Sequence, residues 1–171
     1  MEHHDVNARL AALKKTSATE DAAPVTSARE LALHMARIAR DLRDAALVAL
    51  DAPRKSKLKA WRKAFADELS PSPAQGGRKA DFADVFAQTV ACGFFAAYCC
   101  GKTIFTSAGV PESLPATSPL LCGLFAFLAG PDIREESYAH HVEEMVRLLA
   151  RADRERVLGS VDERDRDCDP V

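Results

Sequence analysis

The stretch Ser27-Ala28-Arg29-Glu30-Leu31-Ala32-Leu33-His34-Met35-Ala36-Arg37-Ile38-Ala39-Arg40-Asp41-Leu42-Arg43-Asp44-Ala45-Ala46-Leu47-Val48-Ala49-Leu50 decides the class of fold. Leu31, Met35, Ile38, Leu42, Ala45 and Ala49 recur at alternating steps of four and three, so a helix places them on one face. Ser27 and Glu30 fit a capping box, with the serine oxygen taking a free backbone N–H and Glu30 reaching back. Arg29, Arg37, Arg40 and Arg43 fall mostly on the wet side, and Pro53 closes the element. The pattern leaves no room for a strand.

Further helices follow from the same reading. Leu58, Trp61, Phe65 and Leu69 form a stripe over about 55–69, stopped by Pro71 and Pro73. Gln75-Gly76-Gly77 reads as a surface loop. A third helix is expected over about 80–100. Its residues Phe82, Val85, Phe86, Thr89, Val90, Phe94 and Ala97 cover so much circumference that it is expected to be the central, most buried one. Gly93 within it costs about 1 kcal/mol against alanine, and so predicts a closely crossing backbone. Ser118-Pro119 reads as an N-cap and first helical residue for a short apolar helix, Leu120 to Leu128, ending at Gly130-Pro131. The last long helix, about 132–151, carries Tyr138, Val142, Met145 and Leu149 in register, and a weak turn follows around Arg154 to Leu158. The expected fold is all-α: an irregular bundle of about five helices over 24–158, with a flexible segment 1–23 before it and an acidic tail 159–171 after it.

Composition agrees. Hydrophobic residues make up 47% and charged residues 28% of the 171, enough apolar surface for one core and enough charge for a wet exterior. The formal charge of −2 gives no case for nucleic acid by itself. Its distribution is uneven. Arg54, Lys55, Lys57, Lys59, Arg62 and Lys63 form a basic run, and these six are the candidate contacts to DNA phosphates. A solvated helix face is the ordinary reading of such a run, and Trp61 is in register for the core rather than for base stacking. Five cysteines without a C-x-x-C pair, and a polar start with no secretory pattern, point to reduced thiols in a cytoplasmic protein. Cys92, Cys99 and Cys122 read as small core hydrophobes. Lys102 interrupts the longest apolar run, so no membrane span is expected.

Two local motifs invite chemistry. Ala96 to Thr103, ending Gly101-Lys102-Thr103, satisfies a relaxed phosphate-loop pattern. That loop needs a strand before it and a helix after it, whereas here it falls at a helix end. His140 and His141 adjoin Glu143 and Glu144, but the second histidine four residues from the first, which a metalloprotease helix needs, is missing. No catalytic, cofactor-binding or metal-binding residue is assigned.

The order of motifs carries more than any one of them. Pro24 to Arg40 (PVTSARELALHMARIAR) is followed by Asp81 to Ala97 (DFADVFAQTVACGFFAA), Leu114 to Leu121 (LPATSPLL), Leu124-Phe125, and Ala129 to Ile133 (AGPDI). In this order they resemble the helical region preceding the catalytic domain of type IIG and type ISP-like restriction-modification enzymes, which are adenine-specific DNA methyltransferases. The resemblance covers about 24–170; Cys92 departs from it where an aromatic is usual, and Ser118 where asparagine is usual. It implies a piece that stops, at Asp169-Pro170-Val171, where the methyltransferase domain would begin. It also implies S-adenosylmethionine as the parent family's cofactor, and a methyltransferase domain, in cis or in trans, together with DNA as partners. The chain itself has no Asn/Asp-Pro-Pro-Tyr/Phe run to hold a flipped adenine and no glycine-rich turn for adenosylmethionine. The expectation is therefore a non-catalytic helical spacer or coupler with no cofactor of its own. Two other readings stand beside it: a stand-alone interaction module that dimerises through its apolar third helix, and a small enzyme using Lys102 or the His140/His141 cluster.

Overall fold

The computed structural model describes residues 23–53, 56–69, 78–101 and 118–159. Five α-helices run through them: α1 (Ala28–Asp51), α2 (Lys57–Leu69), α3 (Lys79–Cys99), α4 (Pro119–Ala129) and α5 (Ala139–Arg151). A 3-10 turn, Pro131–Glu135, joins α4 towards α5, and a short helix occupies residues 154–159. There is no strand among the described residues, and one isolated parallel bridge joins Val25 to Ala152. The fold is an irregular all-α bundle. The expectations for 1–22 and 160–171, and for the loop at Gln75-Gly76-Gly77, lie outside the described residues.

Helix α1 forms as its sequence dictates. The Ser27 hydroxyl accepts from the Glu30 backbone N–H at 3.2 Å, and Leu31 N donates to Ser27 O at 3.0 Å. Its apolar stripe buries Leu31, Ile38, Leu42, Ala46 and Ala49, while Met35 and Ala45 are half-buried. Full burial of each large member contributes about 1.5–3 kcal/mol. The stripe packs on α3 and α5, with α2 touching one end. Asp51 at the end of α1 pairs with Lys79 at the start of α3, and Arg43 pairs with Asp84 at 3.6 Å, so α1 and α3 run antiparallel.

An aromatic series joins the layers. Phe65 of α2 meets Phe82 of α3 edge-on at 5.7 Å, Phe82 stacks on Phe86 at 6.1 Å, and Phe86 meets Tyr138 edge-on at 5.5 Å. Tyr138, just before α5, is fully buried.

Helix α3 buries more residues than any other described helix, as expected, but three further expectations about it need correction. It is not wrapped on all sides by the described residues: Val85 is 43% and Phe95 38% exposed, because α1, α2, α4 and α5 pack on its other side. The central position is shared with α1, which packs on α2, α3 and α5. Gly93 does mark a close approach, but by a side chain. The ring of Phe125 on α4 lies where a Cβ would be, with its Cζ 2.1 Å away, so the glycine is a socket for an aromatic rather than a backbone crossing. By length and composition α3 is also apolar enough to cross a membrane, contrary to expectation. With 44% of that apolar window buried, it serves here as a core helix with one face left exposed by the described residues.

Candidate functional site

The basic run is the first place to look for a ligand, and much of it is answered from inside the molecule. Lys57 opens α2 beside the 3-10 turn. Its ammonium pairs with Asp132 and lies 5.6 Å from the centroid of the Phe127 ring. Its backbone N–H donates to Glu136 Oε1 at 2.8 Å, and Ser56 Oγ donates to Glu136 Oε2 at 2.6 Å. Ser56 Oγ also accepts from Leu58 N at 3.1 Å. The first turn of α2 is therefore capped by a serine from its own chain segment and a carboxylate from a distant one, which suits the positive end of a helix. Lys59 reaches the other way, donating to Ala52 O at 2.5 Å at the end of α1. Lys63 is exposed and Arg62 half-buried; Arg54 and Lys55 lie outside the described residues. Trp61 is in the packing as expected, its ring 6.2 Å from Phe127 and against Gly123, where a Cβ would stand 3.1 Å from Cη2. Lys57 and Lys59 thus tie α1, α2 and the 3-10 turn together.

The phosphate-loop pattern falls where its geometry is reversed. Helix α3 ends here: Cys100 N donates to Ala96 O at 3.0 Å, Gly101 N donates to Tyr98 O at 3.0 Å, and Gly101 takes a φ of +67°. Such an end presents carbonyls, and Arg154 Nη2 donates to Cys99 O at 2.9 Å. An arginine stands there in place of an anion. Lys102 and Thr103 lie outside the described residues. Burial beside Tyr98 pushes the Cys99 thiol above its usual range, with the neighbouring Cys100 adding to the effect. Cys92, expected in the core, is exposed, because it shares the outward stripe of α3 with Val85 and Phe95; Cys99 and Cys122 are half-buried.

The histidine pair sits where α5 meets α1. The rings of His140 and His141 are 3.7 Å apart between centroids, and His141 Nδ1 lies 3.9 Å from Glu144 Oε2. Glu144 is held across the interface by Arg37 Nη2 at 2.5 Å, and Arg37 Nη1 also meets Asp41 at 3.1 Å. It is His141, not His140, that approaches Glu144. Burial first, and then the neighbouring His140, keep the His141 imidazole below its usual pKa, with the carboxylates of Asp41 and Glu144 opposing. His140 turns away, its Nδ1 3.2 Å from Ser137 O. The cluster acts as an inter-helix tie, and no group of three metal-ligating side chains occurs among the described residues.

Sequence reasoning missed the Ser56/Glu136 cap and the Arg154 bond to the end of α3. Ser56 before an apolar run was a readable cap signal, whereas Glu136 and Arg154 act across 79 and 55 residues of chain and leave no local pattern. Comparison with known proteins finds no matching family model, no matching curated protein and no matching solved structure.

Proposed function

We propose that this chain is a non-catalytic helical coupler that positions an adenine-specific DNA methyltransferase domain, in cis or in trans, within a restriction-modification enzyme. The observation that carries this reading is the ordered motif series from Pro24 to Ile133, whose described members coincide with the packing seams of the bundle. The first lies along α1, the second along α3, and the later ones at Ser118, on α4 and at the turn after it. Support comes also from where the polar side chains go. Lys57, Lys59, Arg37, Glu136 and Glu144 bond between elements and so stiffen the bundle, which is what a spacer requires. In this reading S-adenosylmethionine belongs to the partner domain, and the basic run, with the exposed Lys63 among it, adds contacts to DNA phosphates.

The test is to produce the chain with a methyltransferase domain encoded beside it and follow adenine methylation of duplex DNA. A defined complex is expected, with faster methylation than by the domain alone and no retention of labelled adenosylmethionine by the chain alone. Adenosylmethionine binding by the isolated chain, or methylation indifferent to its presence, overturns the reading. Replacing Lys55, Arg62 and Lys63 together by alanine should flatten the salt dependence of DNA binding by the complex, because each lost phosphate contact lowers the slope by about 1.

A further inference from the structure

Helix α3 carries a stripe that the described residues leave exposed. Asp81, Val85, Gln88, Cys92, Phe95 and Cys99 follow one another at steps of four and three, so they line one side of the helix. The first five are exposed and Cys99 is half-buried. Two of the four exposed large apolar side chains among the described residues, Val85 and Phe95, lie on this stripe, and the Phe95 ring is steadied by stacking on Tyr98 at 6.2 Å. The stripe runs almost the length of a 21-residue helix. It contains no lysine or arginine, and its acid stands at one end.

We propose that a second copy of this chain covers the stripe, with the two α3 helices packed antiparallel about a two-fold axis that passes between Gln88 and Cys92. The order of residues favours this occupant. The axis sets Val85 against the partner's Phe95, Gln88 against the partner's Cys92, and Asp81 against the partner's Cys99. An isologous contact needs such self-complementarity, and here the two exposed large apolar side chains, Val85 and Phe95, meet each other across the axis. Charge agrees at both ends. Asp81 lies in the first turn of α3, while the exposed Arg154 guanidinium is bonded to the Cys99 carbonyl in the last turn. Antiparallel pairing therefore brings the acid of each copy to the arginine end of the other, and brings opposite ends of the two helix dipoles together. Parallel pairing would set acid against acid. The inference stands independently of the coupler reading, since it needs only α3 and its termini.

The full chain should be examined by sedimentation equilibrium from micromolar to submillimolar concentration, alongside Val85→Asp and Phe95→Asp. The expected result is a reversible dimer whose dissociation constant rises about thirtyfold or more in each variant, the loss typical of a central apolar contact. Their helical circular dichroism should be unchanged. If either variant loses helix content, Gln88→Cys decides instead. Mild oxidation should then join the new thiol to Cys92 of the second copy, as read by peptide mapping, and failure to form that link counts against the proposal. A monomer at every concentration, or a dimer indifferent to both aspartates, overturns it. So does a monomer that floats with phosphatidylcholine/phosphatidylserine vesicles, which would assign the stripe to a lipid surface.

Discussion

Gly93 shows how one residue can set a helix crossing. In the interior of α3 a glycine sacrifices about 1 kcal/mol of helix stability relative to alanine. That sacrifice is repaid by letting the Phe125 ring enter, its Cζ 2.1 Å from the place a Cβ would take and its centroid 5.7 Å from that of Phe94. Gly93→Ala should therefore destabilise the protein, by about 1–3 kcal/mol as overpacked cores do, despite the gain in propensity. Urea denaturation reads the change, and a more stable variant would show that the ring is free to move aside. Gly101 is constrained differently. Its φ of +67° and the Arg154 guanidinium, 2.6 Å from an ideal Cβ, both exclude a side chain. Tyr138 is a plainer case of aromatic burial, its hydroxyl enclosed with no hydrogen-bonding partner among the described residues and its pKa pushed up chiefly by that burial.

Among the elements, α2 depends most on a neighbour for its start. Its sequence is rich in good helix formers, yet its first turn is held by Glu136, which takes both the Lys57 N–H and the Ser56 hydroxyl. Glu136→Ala should cost about 1–2 kcal/mol, the range for a lost cap. Hydrogen exchange should show the loss concentrated in the first turns of α2 rather than spread across α1 and α3. Uniform acceleration throughout the bundle would mean that the carboxylate holds the 3-10 turn instead. Helix α3 presents the opposite situation. One side is held by α1, α2, α4 and α5 and the other is left exposed by the described residues, so its fully apolar appearance reflects two different demands.

For the molecule as a whole, the α1–α5 seam predicts a pH response. Burial beside His140 lowers the His141 pKa in the fold relative to the unfolded chain, so the unfolded chain binds the proton more readily. Stability is then at its full value above the unfolded value of about 6.5 and declines as the pH falls below it. Denaturation midpoints measured at about pH 7.5 and 5.5 should fall with acidification, and His141→Gln should remove part of that fall. A midpoint that rises on acidification would mean that Glu144 and Asp41 outweigh burial. The all-helical class, the positions of α1 through α4 and the packing of Trp61 were legible beforehand, because helical periodicity and proline stops are local properties of the chain; the single helix expected over about 132–151 instead divides into a 3-10 turn, Pro131–Glu135, and α5 from Ala139. The basic run was legible as charge but not as structure. Asp132 and Glu136, which answer Lys57, lie 75 and 79 residues away, and only folding brings them together. The exposure of Cys92, Val85 and Phe95 was hidden for a related reason. An apolar residue carries the same letter whether a neighbour covers it or not. By itself, then, the sequence determined which segments become helices and which faces are apolar, since backbone sterics and spacing act over a few residues. Which of those faces are covered, which charges are neutralised and what fills the space at Gly93 depended on packing between distant segments, and only the tertiary structure decided them.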